Sequence, residues 1–117
     1  MREQGSSVVG VGVDVVSIER CREKLERHPR MYDGVCAAGE TPPKSVGAFA
    51  RRWALKEAVA KACGERLTPR QVLVTHSEDG APLVVAQGYE NDSFEVSVSD
   101  DAGVAVAVAM RLRPASA

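Results

Sequence analysis

Apolar positions in this 117-residue chain follow a period of two near both ends and a helical period between them. Val8-Val9-Gly10-Val11-Gly12-Val13-Asp14-Val15-Val16 is β-branched at nearly every non-glycine position and predicts a buried strand. Ser17 can cap a following helix, with Glu19 placed against its positive end. That helix, over residues 18–28, carries a narrow apolar stripe of Ile18, Cys21 and Leu25, and Pro29 helps to stop it. Residues 30–44 hold Gly34, Gly39, Pro42 and Pro43 and predict a loop with room for one helical turn. Ser45 opens the strongest helix, which runs to about Cys63 with Gly64 in the stop position. Residues 71–76 and 82–87 then read as strands around a turn at 77–81, and residues 94–99 and 104–112 as strands around a turn at 100–103. The last strand alternates: Val104, Val106, Val108, Met110 and Leu112 share one face, and Ala105, Ala107 and Ala109 the other. The order strand, helix, helix, antiparallel strands indicates an α+β fold, and residues 1–117, without repeats or linker, read as a single domain.

Composition narrows the picture. The chain is 44% hydrophobic but only 4% aromatic, so its core must be built from Val, Ala and Leu. Small aliphatic cores stabilise weakly and oligomerisation is a common remedy; the alanine face of the last strand suggests sheet surface buried between subunits. A net charge of -1 gives no global reason to expect nucleic acid or a membrane as partner. Cys21, Cys36 and Cys63 lack metal-type spacing and read as reduced thiols. The first seven residues lack the apolar stretch of a signal peptide, and the longest apolar run, 104–110, is too short for a bilayer. A soluble, cytoplasmic protein is expected.

Two carboxylates stand where carboxylates need a reason. Asp14 lies inside a run of valines and shares its strand face with Gly10 and Gly12. Glycines beside a carboxylate suggest open space for a ligand approaching the backbone, though an aspartate at a strand end can also cap the next helix from outside. Gly10-x-Gly12 is no dinucleotide fingerprint, because the third glycine is missing and residues 13–16 continue the strand. On the 45–63 helix, Val46, Phe49, Ala50, Trp53 and Ala60 share one face with Glu57 in its middle. A carboxylate buried there needs a partner or a cation. Lys61, one turn on, could be a helical ion-pair partner, while Lys56 flanks the stripe on its other side. One carboxylate between two lysines also suits a metal-bound phosphate ester. On the first helix Arg20, Lys24 and Arg27 form a basic arc opposite the apolar stripe: an ordinary solvated face, or a landing surface for an acidic partner.

The residues from Gly10 to Arg20 resemble the opening motif of the holo-acyl-carrier-protein synthases, small phosphopantetheinyl transferases. Arg52-Trp53-Ala54-Leu55-Lys56-Glu57-Ala58-Val59-Ala60-Lys61-Ala62 resembles their second motif. Gly80-Ala81-Pro82 resembles a third, and Val96-Ser97-Val98-Ser99 with the following turn and alanine–valine strand resembles the last. In order and spacing the four cover nearly the whole chain. The resemblance implies a small antiparallel sheet packed on one long helix, assembled as a homotrimer with coenzyme A in the clefts between subunits. It implies Mg2+ held by Asp14 and Glu57, and coenzyme A bound by Arg52, Lys56 and Lys61, with Asp100 close to its phosphates. It implies that a serine of an acyl or peptidyl carrier protein attacks the β-phosphate, releasing 3′,5′-ADP. Glu57, or a water it orients, is then the candidate general base, and Lys61 the stabiliser of the leaving phosphate. Arg20, Lys24 and Arg27 become the carrier-protein surface.

The sequence departs from the family at Asp100, where a histidine normally follows the serine of the last motif. An acid beside an anionic ligand is unfavourable, and it favours a rival reading: a catalytically impaired relative that binds coenzyme A or a carrier protein without chemistry. The connections at 67–70 and 88–93 also look shorter than usual.

Overall fold

The structure, a computed structural model, describes residues 5–115. Strand β1 (Ser7–Ser17) leads into helix α1 (Ile18–Arg27), the single-turn helix α2 (Met31–Gly34) and the long helix α3 (Val46–Cys63). A 3-10 turn (Pro69–Gln71) precedes strands β2 (Val72–His76), β3 (Pro82–Ala86), β4 (Ser93–Asp101) and β5 (Val104–Arg113). β5 pairs antiparallel with both β1 and β4 in a three-stranded sheet ordered β1-β5-β4, while β2 and β3 form a second, two-stranded sheet. The α+β fold expected from the sequence is thus present. Its helix boundaries follow local chemistry. The Ser17 hydroxyl accepts the Arg20 N–H and the Ser45 hydroxyl accepts the Ala48 N–H, each at 3.1 Å. Gly64, in the left-handed region at φ 73°, returns its N–H to the Ala60 and Lys61 carbonyls and ends α3.

Helix α3 lies across the three-stranded sheet, and the smallest side chains decide how closely. Ala105, Ala107 and Ala109 of β5 are buried against it. On β1, a Cβ added to Gly10 would overlap the carbonyl oxygen of Ala62, and one on Gly12 that of Ala58. Two expectations are corrected here. The alanine face of β5 packs inside the chain, not between subunits, and the space over Gly10 and Gly12 is filled by helix backbone, not left for a ligand. The opposite face of the sheet is the uncovered one, with Val11 60% and Val15 62% exposed beside Val13, Val106 and Val108.

Helix α3 has the sheet on one side and the segment 35–44, with β2, on the other, so it is buried well beyond one stripe. Phe49, Ala50 and Ala60 are buried as the sequence suggests, while Val46, Trp53 and Glu57 are half-covered. The charged residue that α3 sinks into the interior is Lys56, 1% exposed, and not Glu57. The β4–β5 turn is also tighter than expected. Ala102 (φ 52°) and Gly103 (φ 83°) form the whole connection, so Asp100 and Asp101 stay in the ladder, opposite Ala105 and Val104. All three cysteines are unbridged, and among the described residues no helix is long and apolar enough to cross a membrane.

Candidate active site

Because Asp14 pairs with Ala107, it points to the α3 side of the sheet, just beyond the point where Gly12 lets the helix touch the strand. Glu57 comes to the same place from α3. Both carboxylates line a cavity of about 250 Å³ whose walls include Arg20 and Lys24 of α1, Met31 of α2, and Phe49 and Trp53 of α3. Lys61 reaches over from the next turn of α3: its ammonium donates to Asp14 Oδ1 at 2.9 Å and to the Val13 carbonyl at 3.1 Å. The helical pair Glu57–Lys61 considered from spacing is therefore displaced by a cross-element pair with Asp14. Among the described residues, no hydrogen bond or ion pair engages the Glu57 carboxylate. Burial pushes its pKa above the usual carboxylate value; Asp14 adds to the rise and Lys61 opposes it. A second cavity of about 420 Å³, lined by Glu57, Lys61, Glu65, Arg66 and Leu67, opens nearby. Glu57 borders both.

The sequence-selected residues divide into three groups. Asp14, Glu57, Arg20 and Lys24 line the first cavity, Lys61 joins them through Asp14 from the second, and Arg27, exposed in the last turn of α1, lies outside the lining. Arg52 and Asp100 sit elsewhere. Arg52 donates to the Thr41 carbonyl at 2.6 Å and, with Arg51 and His76, lines a cavity of about 190 Å³ next to β2 and β4. Asp100 binds Arg51 at 2.6 Å, so the acid that departs from the family motif has its own cation. Lys56 forms the third group alone. Its ammonium is held at 2.9 Å by both oxygens of Glu40, at 2.8 Å by the Val35 carbonyl and at 2.9 Å by that of Pro69. Burial lowers its pKa from the usual lysine value, and Glu40 works against that fall. One carboxylate flanked by two lysines is therefore not the observed arrangement: only Lys61 stands beside Glu57.

Sequence reasoning missed Glu40 and Arg51. Glu40 lies between Gly39 and Thr41-Pro42-Pro43, in a segment with no periodicity, so nothing local marks it as the partner of a residue 16 positions away. Arg51 differs from its neighbour Arg52 only in direction, which depends on how α3 is rotated. His28 and His76 are exposed.

Two carboxylates, a lysine and a basic helix face around one cleft are suited to holding a cation and neutralising a phosphate ester. Known proteins point the same way. A holo-[acyl-carrier-protein] synthase of Beutenbergia cavernae is 38% identical over 91% of this chain and 99% of its own length. One from Streptomyces avermitilis is 39% identical over 87% of this chain and 95% of its own. The fold superposes with a TM-score of 0.76 on a holo-[acyl-carrier-protein] synthase of Helicobacter pylori solved in complex with coenzyme A, at 27% identity, covering 86% of this chain and 98% of that one. The model of the 4′-phosphopantetheinyl transferase superfamily matches residues 10–109, and the chain belongs to that family.

Proposed function

We propose that this protein is a holo-[acyl-carrier-protein] synthase: it transfers 4′-phosphopantetheine from coenzyme A to a serine of an acyl or peptidyl carrier protein and releases 3′,5′-ADP. The observation that carries this reading is the meeting of Asp14 and Glu57, from two different elements, in one cleft walled by Arg20 and Lys24. The family match and the names of the relatives supply the chemistry that such a cleft would perform.

The same pair fits magnesium. Two carboxylates from the protein leave most of an octahedral shell for water and substrate phosphates, which is how this ion is commonly held. Asp14 and Glu57 would hold it, and when bound it neutralises charge on the pyrophosphate of coenzyme A. The chain's own groups account for the rest. Glu57, which borders the cleft and has no ion pair among the described residues, or a water that it orients, is placed to take the proton of the attacking serine. The serine oxygen bonds to the β-phosphorus as the bond from that phosphorus to the bridging oxygen breaks, and the electron pair leaves with 3′,5′-ADP. Lys61, anchored on Asp14 and the Val13 carbonyl, stabilises the charge that builds there. Arg20 and Lys24 line the cleft and, with Arg27 beyond it, steer and orient an acidic carrier.

We place the activity in the cytoplasm, in a homotrimer, with residues 1–117 acting as one transferase domain. The test is direct. The protein, Mg2+, coenzyme A and an unmodified carrier protein are mixed, and the carrier is weighed by mass spectrometry. A gain of one phosphopantetheine supports the reading, and an unchanged carrier across a panel of fatty-acid, polyketide and peptide-synthetase carriers overturns it.

A further inference from the structure

The Lys56–Glu40 pair is the one fully buried ion pair among the described residues, with both side chains at 2% exposure or less. As a source of stability, such a pair is weak: removing two charges from water costs about as much as their attraction returns. As a source of geometry it is strong. A lysine ammonium has three protons, and here three acceptor groups use them: the Val35 carbonyl, the Glu40 carboxylate and the Pro69 carbonyl. Glu40 in turn accepts the Val74 N–H at 2.8 Å. The segments around residues 35–40 and around Pro69 therefore meet at one nitrogen on α3, and β2 joins them through Glu40.

Two of those segments lead to the active cleft. Val35 follows α2, whose Met31 walls the cavity on one side of Glu57. Pro69 follows residues 65–67, which wall the cavity on the other side. Lys56 is the residue before Glu57, so both walls are tied to α3 next to the carboxylate they enclose. We propose that Lys56 is a positioning residue for the transfer: acting through Glu40 and without touching coenzyme A, it fixes both walls of the cleft around Glu57. This rests on the reading of Glu57 as the reacting carboxylate, and the two can fail separately.

Glu40→Gln keeps the shape of the acid and an oxygen for the ammonium. The double variant Lys56→Met with Glu40→Met removes both charges and leaves no uncompensated one. Each is assayed at 20 °C, well below its melting temperature, with Glu57→Gln alongside. Misplacing a reacting group by about 1 Å can cost about a hundredfold. Accordingly, both variants should lower kcat about tenfold to a hundredfold, while KM for coenzyme A changes less than about threefold. Hydrogen exchange, read without turnover, should quicken over residues 31–35 and 65–69. If the Lys56 double variant raises KM for coenzyme A about tenfold or more and Glu40→Gln leaves it unchanged, Lys56 touches the ligand and the proposal is wrong. A lowered melting temperature with normal kcat also overturns it, since the pair would then be structural only. Normal transfer by Glu57→Gln instead removes the reading beneath it.

Discussion

Asp14 and Glu57 approach one cleft from a strand and a helix; Asp14 is already paired with Lys61, while burial disfavours the charge on Glu57, which has no such partner among the described residues. Asp14→Asn and Glu57→Gln are each expected to lower transfer by about a thousandfold or more while circular dichroism stays native, since each would remove one of the two charged ligands proposed for a single cation. The apoprotein should respond in the opposite sense at Glu57. Its folded pKa lies above the unfolded carboxylate value, so the folded state binds the proton more tightly. That contribution to stability is full below the unfolded value and is lost as pH rises through the folded one. In metal-free buffer Glu57→Gln should therefore melt above the parent at neutral pH, and the gap should close on acidification toward the ordinary carboxylate range; a parent that melts higher at neutral pH would contradict this. Asp100 offers a second test at this scale. Its carboxylate occupies Arg51 at 2.6 Å; with coenzyme A bound as proposed, it would both repel a phosphate reaching this turn and withhold a guanidinium from it. Replacing it removes about 1 kcal/mol of unfavourable interaction, or about fivefold to tenfold in affinity. Calorimetry should find coenzyme A bound more tightly by Asp100→His and, to a lesser extent, by Asp100→Asn, with the gain shrinking as salt rises. Weaker binding by both would mean that Asp100 holds Arg51 in a pose the ligand needs.

Between elements, the contact of β1 with α3 depends on the absence of two side chains. Gly12→Ala drives a methyl into the Ala58 carbonyl, and overpacking of this kind costs about 1–3 kcal/mol. Chemical denaturation should show the loss, and activity should fall with it because Asp14, two residues on, is carried by the same strand. The β4–β5 turn predicts the reverse. Ala102 is a non-glycine residue at positive φ, a conformation that costs most L-residues about 1–2 kcal/mol and that asparagine tolerates well. Ala102→Asn should raise the denaturation midpoint without changing transfer. These contacts mark the limit of what the sequence discloses. Elements were legible because valine alternation, two serine caps and Gly64 are local signals. Asp14 and Glu57 were legible because each breaks an apolar pattern. What was not legible depends on how elements rotate against each other. Glycines read as open space are filled by helix backbone, and Lys56 turns inward while Lys61 turns to Asp14, although both sit on one helix. Glu40 was invisible because its partner is set by tertiary packing and not by period.

At the scale of the molecule, the three-stranded sheet leaves one face uncovered among the described residues. Val11, Val13 and Val15 of β1 lie across from Met110, Val108 and Val106 of β5, forming an apolar surface on the side away from α3. Contiguous apolar patches of this kind commonly mark subunit contacts, and a 12.5 kDa chain with few aromatics gains from burying them. The trimer proposed above would bury this valine face, in place of the alanine face that the sequence suggested. The strand links the two roles by simple alternation: Val13 and Val15 face outward while Asp14, between them, faces the cleft. Light scattering of the parent should report about three times the 12.5 kDa chain mass. Val13→Lys places a charge at a position 54% exposed in the single chain, where the fold tolerates it, but opposite Val108 in the middle of the patch. Burying that ammonium without a partner costs several kcal/mol at each contact, enough to separate subunits held mainly by apolar area. The variant should scatter as one chain with native circular dichroism. If the cleft is completed by a neighbouring subunit, its transfer activity should fall together with its mass. A parent that is monomeric while binding coenzyme A and modifying its carrier would sink the shared-cleft reading. A monomeric Val13→Lys that keeps full activity would leave the trimer but show that each cleft works alone.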